Sequence, residues 1–451
     1  MLRINKIKIF LAIIFLFNIA FCLEIAPYAN NEYSSDSELY PYSNQSLFCS
    51  AFGVDIYHEK DSISLKSNFS YHLVSGINEQ PNKFNFFQGL GYIENNPGLS
   101  PNQFNYFLTT IEAMYRTERI DFFSGLSNPI WGPGVNSIIL SDKAPPFFNV
   151  SYDWKVTDKL QYTHLYGKLN SKMEDTTYSF LYEDDSSRFA EIPRSINAHR
   201  IDYSLTDGIE LGLYEVIVYG GSRSIEPYYF LPVIPFLPIQ TYLGDIDNDM
   251  LGAYLDMSIK NISFYSSILI DEWTPPDTFK KEHKNWFIYQ IGMNIDTKFL
   301  SDNSGSIKIE YIFSDNRVYS HKFPINNFYS YGYPMGFWAG PHAEQLYLAV
   351  RQSFGDLDIN AEISVSKRGE SIYGYNNNFV ARYSGVVEKK EAYYLSILYK
   401  YNEKFDIKLG ISLINWHNAG FDPLDLSQPT NSISKENFQI GINYHFKEYR
   451  L

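Results

Sequence analysis

The stretch "AYYLSILYKYNEKFDIKLGISL" (Ala392 to Leu413) carries the fold in its spacing. Tyr393, Leu395, Ile397, Tyr399 and Tyr401 alternate with smaller or polar residues. Phe405, Ile407, Leu409, Ile411 and Leu413 do the same. Side chains of a strand point alternately to two faces, so each run has one apolar face. Only Asn402, Glu403 and Lys404 separate the runs, which makes them a hairpin. Each run is nine residues or more, near the roughly 9–11 that a transmembrane strand needs and longer than the usual 5–6 of soluble strands. The opposite face holds Ser396, Asp406, Lys408 and Gly410, as a wet or polar-packed lumen requires.

The same pattern recurs along the chain. "MSIKNISFYSSILI" (Met257 to Ile270) turns at Lys260-Asn261. "RIDYSLTDGIELGLYE" (Arg200 to Glu215) turns near Gly208, and "FQIGINYHF" (Phe438 to Phe446) alternates to its end. Asn and Gly suit the positive φ of two-residue hairpin turns. Short and long connections alternate in the second half. Lys260-Asn261, 298–304, Gly355-Asp356 and 402–404 are short, while 271–285, 314–345, 367–391 and 415–436 are long. Tight turns at one rim and long loops at the other define an antiparallel up-and-down barrel, and the count extrapolates to about 16–18 strands. The fold class is therefore all-β, a transmembrane barrel. One detail departs from the usual pattern: the chain ends "HFKEYRL", with Phe446 five residues before the end.

Composition agrees. Aromatic residues make up 17% of the chain, with 38 Tyr and 34 Phe. Arg3, Lys6 and Lys8 precede the apolar run Ile9 to Phe21, and Ala20 and Cys22 precede a cleavage point. Residues 1–22 thus read as a cleaved signal peptide. With its three basic residues set aside, 34 basic residues face 51 acidic ones, a net charge of −17. That charge argues against nucleic acid as a partner. Cys22 and Cys49 are the only cysteines, so no disulfide framework is available. Residues 23–48, short and rich in Pro and Asn, read as a periplasmic segment ahead of a barrel spanning 49–451.

Two irregular apolar segments need a place. One is "IWGPGVNSIILSDKAPPF" (Ile130 to Phe147), the other Ile225 to Gly252, with the proline-broken run "YYFLPVIPFLPI". Irregular backbone cannot face lipid, because its N–H and C=O groups find no partner there. Both are expected to fold inward and plug the lumen. Glu215, Glu226, Asp245, Asp247 and Asn248 are its expected polar anchors. Acids at 245, 247, 249 and 256 resemble the spacing of a calcium loop. Met250 stands where that loop needs Gly, so no metal is assigned.

Trp131-Gly132-Pro133-Gly134, followed by Ser137 to Ser141 ("SIILS"), Ala144 and Pro146, resembles the signature of the capsule-assembly Wzi family. Ala198 to Gly221, Glu226 to Phe236, Asp247 to Met257 and Gly332 to Val350 are similar to that family in order and spacing. The resemblance covers roughly residues 100–450. It implies an outer-membrane barrel of about eighteen strands that holds capsular polysaccharide, without catalysis or a cofactor. It also implies a periplasmic helical bundle, for which residues 23–46 show no helical period.

Sugar is expected at the long loops. Trp273, Tyr333, Trp338, His342, Trp416 and His417 offer rings whose apolar faces suit sugar C–H groups. Lys280, Lys281 and Lys284, with Lys367-Arg368 and Lys389-Lys390, offer positive charge to an acidic glycan. Trp286, at a strand start, reads as a membrane-interface aromatic. The expected partners are extracellular polysaccharide and outer-membrane lipid, the expected location is the outer membrane of a diderm bacterium, and the expected state is a monomer. A diffusion channel or sugar-uptake porin is the alternative, and a surface hydrolase the third reading. The nine histidines form no motif with Ser or paired Asp.

Overall fold

The computed structural model describes residues 23–450, apart from 86, 94–98, 184–185, 222, 224, 279, 281–284, 300–303, 371–381, 384 and 422–430. The expected signal peptide lies outside the described residues.

The strands are β1 Glu24–Ser34, β2 Leu47–Lys60, β3 Ile63–Ser75, β4 Gln103–Arg116, β5 Ile120–Ser127, β6 Phe147–Lys155, β7 Leu160–Leu169, β8 Glu174–Leu181, β9 Ser187–Glu191, β10 Arg194–Thr206, β11 Ile209–Gly220 and β12 Asn248–Ile259. They continue with β13 Ile262–Glu272, β14 Trp286–Asp296, β15 Gly305–Ser314, β16 Tyr329–Ser330, β17 Tyr333–Pro334, β18 Ala343–Phe354, β19 Leu357–Gly369, β20 Val387–Asn402, β21 Phe405–Ala419, β22 Asn431–His445 and β23 Tyr449–Arg450. Hairpins β8–β9 and β16–β17 stand apart from the main sheet. The other long strands pair antiparallel with their neighbours, and β1 pairs both β2 and β22, so the sheet closes on itself. The result is an 18-stranded barrel, with β23 as an extra strand on β1.

Connections alternate strictly. Asp61-Ser62, Asp207-Gly208, Lys260-Asn261, Gly355-Asp356 and Glu403-Lys404 turn tightly at the rim that also carries Glu24 and His445. Every connection at the other rim is long. The outward face carries Phe107, Leu213, Ile291, Ile411 and Leu413, all exposed to the bilayer side.

Residues 24–34 correct the expected boundary: they are a wall strand, not a periplasmic lead-in. Without β1 the sheet would leave two unpaired edges, which hydrocarbon does not tolerate. Pro27 fits because it sits where pairing is already interrupted. Its carbonyl accepts the Phe446 N–H at 3.0 Å, in the gap between β22 and β23. The same gap explains the unusual chain end, since the last pairing resumes at Tyr449 opposite Ile25.

The wall strands outrun their apolar spacing. β20 starts at Val387, β21 runs to Ala419 and β22 starts at Asn431, so much of 367–391 and 415–436 is wall rather than loop. The segment with calcium-like spacing continues into β12 and forms no loop.

Candidate functional site

Connections 128–146 and 315–342 enter the barrel. A single core joins Trp131, Ile138, Ile139 and Leu140 to Tyr319, Phe328, Met335, Phe337 and Trp338, against wall residues of β10 to β15. The W-G-P-G corner is tight because Gly132 and Gly134 have φ of +92° and +98°, where a Cβ is strained. Trp131 donates its N–H to Leu140 O at 3.0 Å, closing a small loop around the glycines. Ser137 Oγ bonds Trp131 O inside it. Ser141 joins the corner to connection 315–342, donating N–H to Met335 O at 2.7 Å and Oγ to Gly336 O at 2.6 Å. Tyr319 donates its hydroxyl to Ile138 O at 2.7 Å. Ala144 is buried, and Asn128 Nδ2 donates to its carbonyl at 2.8 Å. Pro146 immediately precedes β6, where a missing N–H costs no ladder bond.

Three wall carboxylates hold irregular segments by their backbone, Glu310 and Asp271 inside the barrel and Glu215 on its outer face. Glu310, on β15, accepts the N–H groups of Val135 (2.8 Å) and Asn136 (3.1 Å). It also accepts Asn136 Nδ2, Gln290 Nε2 and the Tyr265 hydroxyl, each within 2.9 Å. Glu215, on β11, accepts the N–H groups of Phe236 (2.7 Å) and Leu237 (3.1 Å), with His199 Nε2 at 2.8 Å. Asp271, on β13, accepts the Tyr319 N–H at 2.6 Å. Each clamp supplies acceptors to irregular backbone that would otherwise be buried unpaired. Glu310 and Asp271 carried no sequence signal. Each sits in a strand as one polar residue among others, and only the folded register shows what it faces.

The proline-broken run forms a 3₁₀ turn at 227–230 and a short helix, Phe236–Tyr242. Both pack on the outer face of the wall against Ile217 and Tyr219 of β11, on the same side as Leu213. This corrects the expected plug, because Tyr214, Val216 and Val218 are the residues of β11 that alternate into the lumen. Asp247 is fully buried, paired to Arg223 and accepting the Tyr229 hydroxyl at 2.6 Å. Glu226 is buried 3.6 Å from Arg223. Asn248 Nδ2 donates to Asn326 O at 3.0 Å. Asp245 is exposed and pairs with Lys322 at 2.7 Å, where connections 221–247 and 315–342 meet.

The expected sugar-contact residues fall apart into groups. Tyr333, Trp338, His342 and Trp416 are buried, which corrects their expected place in open loops. Trp338 Nε1 donates to Gln345 Oε1, and Trp416 Nε1 to Glu388 Oε1, both at 2.9 Å. His342 stacks on Tyr383 at 4.9 Å and accepts its N–H. The Tyr333 hydroxyl accepts the Leu90 N–H at 3.3 Å. His417 lies on the opposite face of β21, with Ser432 Oγ 2.7 Å from its Nδ1. Trp273 is half exposed, its indole N–H donated to Thr278 Oγ1 at 3.0 Å. Lys280 is exposed and paired to Asp277; Lys281 and Lys284 lie outside the described residues. Trp286 packs against the inner core under Arg317, not against lipid.

Arg368 and Lys390 are lumenal too. Arg368 pairs with Glu388 at 2.7 Å, and Lys390 with Glu38 of connection 35–46. Below Trp131 two hollows of about 310 and 580 Å³ share Arg200 and reach the short-turn rim at Arg119 and Lys159. Arg200 lies over the Trp131 ring at 5.1 Å and pairs with Asp202 at 2.8 Å. Among the described residues no group of three or more His, Cys, Asp or Glu side chains is placed to hold a metal ion.

This architecture defines an outer-membrane β-barrel whose lumen holds ordered segments. No family model matches the chain, and no curated protein matches it. Among solved structures it is similar to Wzi of Escherichia coli, described as a carbohydrate-binding β-barrel involved in group 1 capsule assembly. The TM-score is 0.59 at 14% identity, over 93% of this chain and 84% of that one. It also matches OccAB3 of Acinetobacter baumannii (TM-score 0.46, 11% identity, 95% and 99% covered). OpdK of Pseudomonas aeruginosa, solved with vanillate, matches with TM-score 0.47 and 8% identity over 95% and 99%. The likeness to Wzi shows the fold, a closed β-barrel of the outer-membrane type.

Proposed function

We propose that this protein holds an extracellular polysaccharide at the cell surface and performs no reaction. The observation that carries the reading is the clamped interior: two lumenal carboxylates, Glu310 and Asp271, fix inward segments in the lumen, which suits a holding surface better than a conduit. Connections 221–247 and 315–342 bring several exposed aromatics together. Tyr242 is 77% exposed and meets Tyr228 at 5.9 Å, while Phe323 is exposed beside Lys322. Rings with a neighbouring cation match an acidic sugar chain. They replace Trp338 and Trp416 as the residues to test. With Tyr242→Ala and Phe323→Ala combined, cell-bound polysaccharide is expected to fall severalfold at unchanged barrel level in the outer membrane. Unchanged polysaccharide sinks the assignment.

A second reading, a diffusion channel, draws support from the hollows around Arg200, which open toward the short-turn rim. Conductance separates the two readings.

A further inference from the structure

A separate cavity of about 250 Å³ lies between the inner wall of β2 to β4 and the chain at 81–90. Its walls are apolar, with Leu47, Val74, Phe104 and Leu108 facing it. That volume is just under the roughly 300–1,000 Å³ of drug-sized sites, so it suits a small molecule. One charged group reaches it: Lys143, 3% exposed, from the W-G-P-G connection.

The ammonium of Lys143 donates to Phe87 O at 2.7 Å and to Asn85 Oδ1 at 3.4 Å, and lies 5.1 Å from the centre of the Tyr333 ring. Among the described residues no carboxylate lies within ion-pair distance of it. Its cationic neighbours differ, since Arg368 has Glu388 and Lys390 has Glu38. An ammonium carries three donors, so one remains after Phe87 and Asn85. A buried cation without an anion is costly. Here it stands at the edge of an apolar cavity, beside the rings of Tyr40 and Tyr106. We infer that this cavity binds a small carboxylate with an apolar body, the carboxylate on Lys143 and the body against Leu47, Val74, Phe104 and Leu108. This site is distinct from the polysaccharide surface, and its occupant is a small acid rather than a sugar polymer.

The test is calorimetric titration of the full barrel in an uncharged detergent with sodium benzoate, and with benzyl alcohol as the uncharged counterpart. Benzoate is expected to bind saturably, and the alcohol at least about tenfold more weakly, because a charge-assisted bond is lost. Lys143→Met is expected to bring benzoate down to the alcohol's affinity. Val74→Trp, which fills the cavity and leaves Lys143 in place, is expected to abolish binding of both. Folding of each variant is checked by the heat-dependent gel mobility of the barrel. The inference is overturned if benzoate gives no saturable heat up to about 10 mM. Equal binding of benzoate and alcohol overturns it, and so does full benzoate affinity in a folded Lys143→Met. If Lys143→Met does not fold, the benzoate-to-alcohol ratio and Val74→Trp decide.

Discussion

Lys143 shows how much one residue's surroundings change its chemistry. It lies in the inward connection, outside the wall strands. Burial pulls its ammonium down to about 7 from an ordinary value of 10.5, and the nearby cations Arg368 and Lys390 add to the effect. A lowered lysine pKa means that the folded state disfavours the charged form. Below about 7 both folded and unfolded chains hold the proton, and the folded state bears the full cost. Between about 7 and 10.5 the unfolded chain binds a proton that the folded one does not, so stability rises with pH through that window. Lys143→Met removes this slope. Urea unfolding midpoints of the two barrels, compared at about pH 6.5 and 9.5, are expected to shift in favour of wild type at the higher pH. A pH-independent difference contradicts the assignment. Groups common to both barrels cancel in the comparison.

At the scale of strands, one device recurs along the wall, and at one place it supports a clamp. Tyr28 faces Gly53, Tyr254 faces Gly212, Tyr214 faces Gly252 and Tyr265 faces Gly292 across neighbouring strands. In each pair the ring lies on the glycine; a Cβ on Gly292 would sit 2.2 Å from Tyr265 Cζ. The missing side chain lets the ring lie flat along the wall, and Tyr265 then reaches Glu310 at 2.8 Å. Gly292→Ala is therefore expected to displace Tyr265 and remove one of five donors from Glu310. The expected cost is about 1–3 kcal/mol, read as a lower urea midpoint. Gly292→Ala combined with Tyr265→Phe should cost little more than Gly292→Ala alone, because the bond is already lost. Additive losses argue against the pairing.

Strands also mark where the sequence stopped being legible. The apolar band between Phe405 and Leu413 announces β21 because lipid demands apolar side chains on one face. Beyond Leu413 the outward positions become Asn415 and His417, so the alternation vanishes and "NWHN" looks like loop. The strand continues, with Ile414 and Trp416 still turned inward. Glu388 and Lys390 are hidden in β20 for the same reason. A charged residue past the lipid band reads as surface, although here it faces a packed lumen. Barrel closure, alternating connections and the inward W-G-P-G turn were legible because lipid exclusion of unpaired backbone is a local rule. The clamps and the Lys143 cavity were not, because they depend on which side chains meet across distant connections. Trp338 and Trp416 show the consequence: Trp is informative in a loop and silent in a core.

The whole molecule sets two requirements against each other. A closed sheet of eighteen strands encloses a wide lumen, and segments placed inside it need acceptors for their backbone. Asp271 and Glu310 stand on β13 and β15, face the lumen and hold two separate chain segments from the wall. If they keep the lumen occluded, wild-type barrels in planar bilayers are expected to show little steady conductance. Asp271→Asn and Glu310→Gln together keep shape but exchange charged acceptors for amides, whose NH₂ groups oppose the backbone donors. Each loses roughly 1–3 kcal/mol of hold, and the two sites are independent enough to add in good part. The double variant should therefore open large, noisy conductance, with single variants in between, while all migrate as folded barrels before heating. Large steady conductance in wild type would instead favour the channel reading and count against a holding barrel. Equal low conductance in the double variant would leave occlusion intact and remove the carboxylates as its cause.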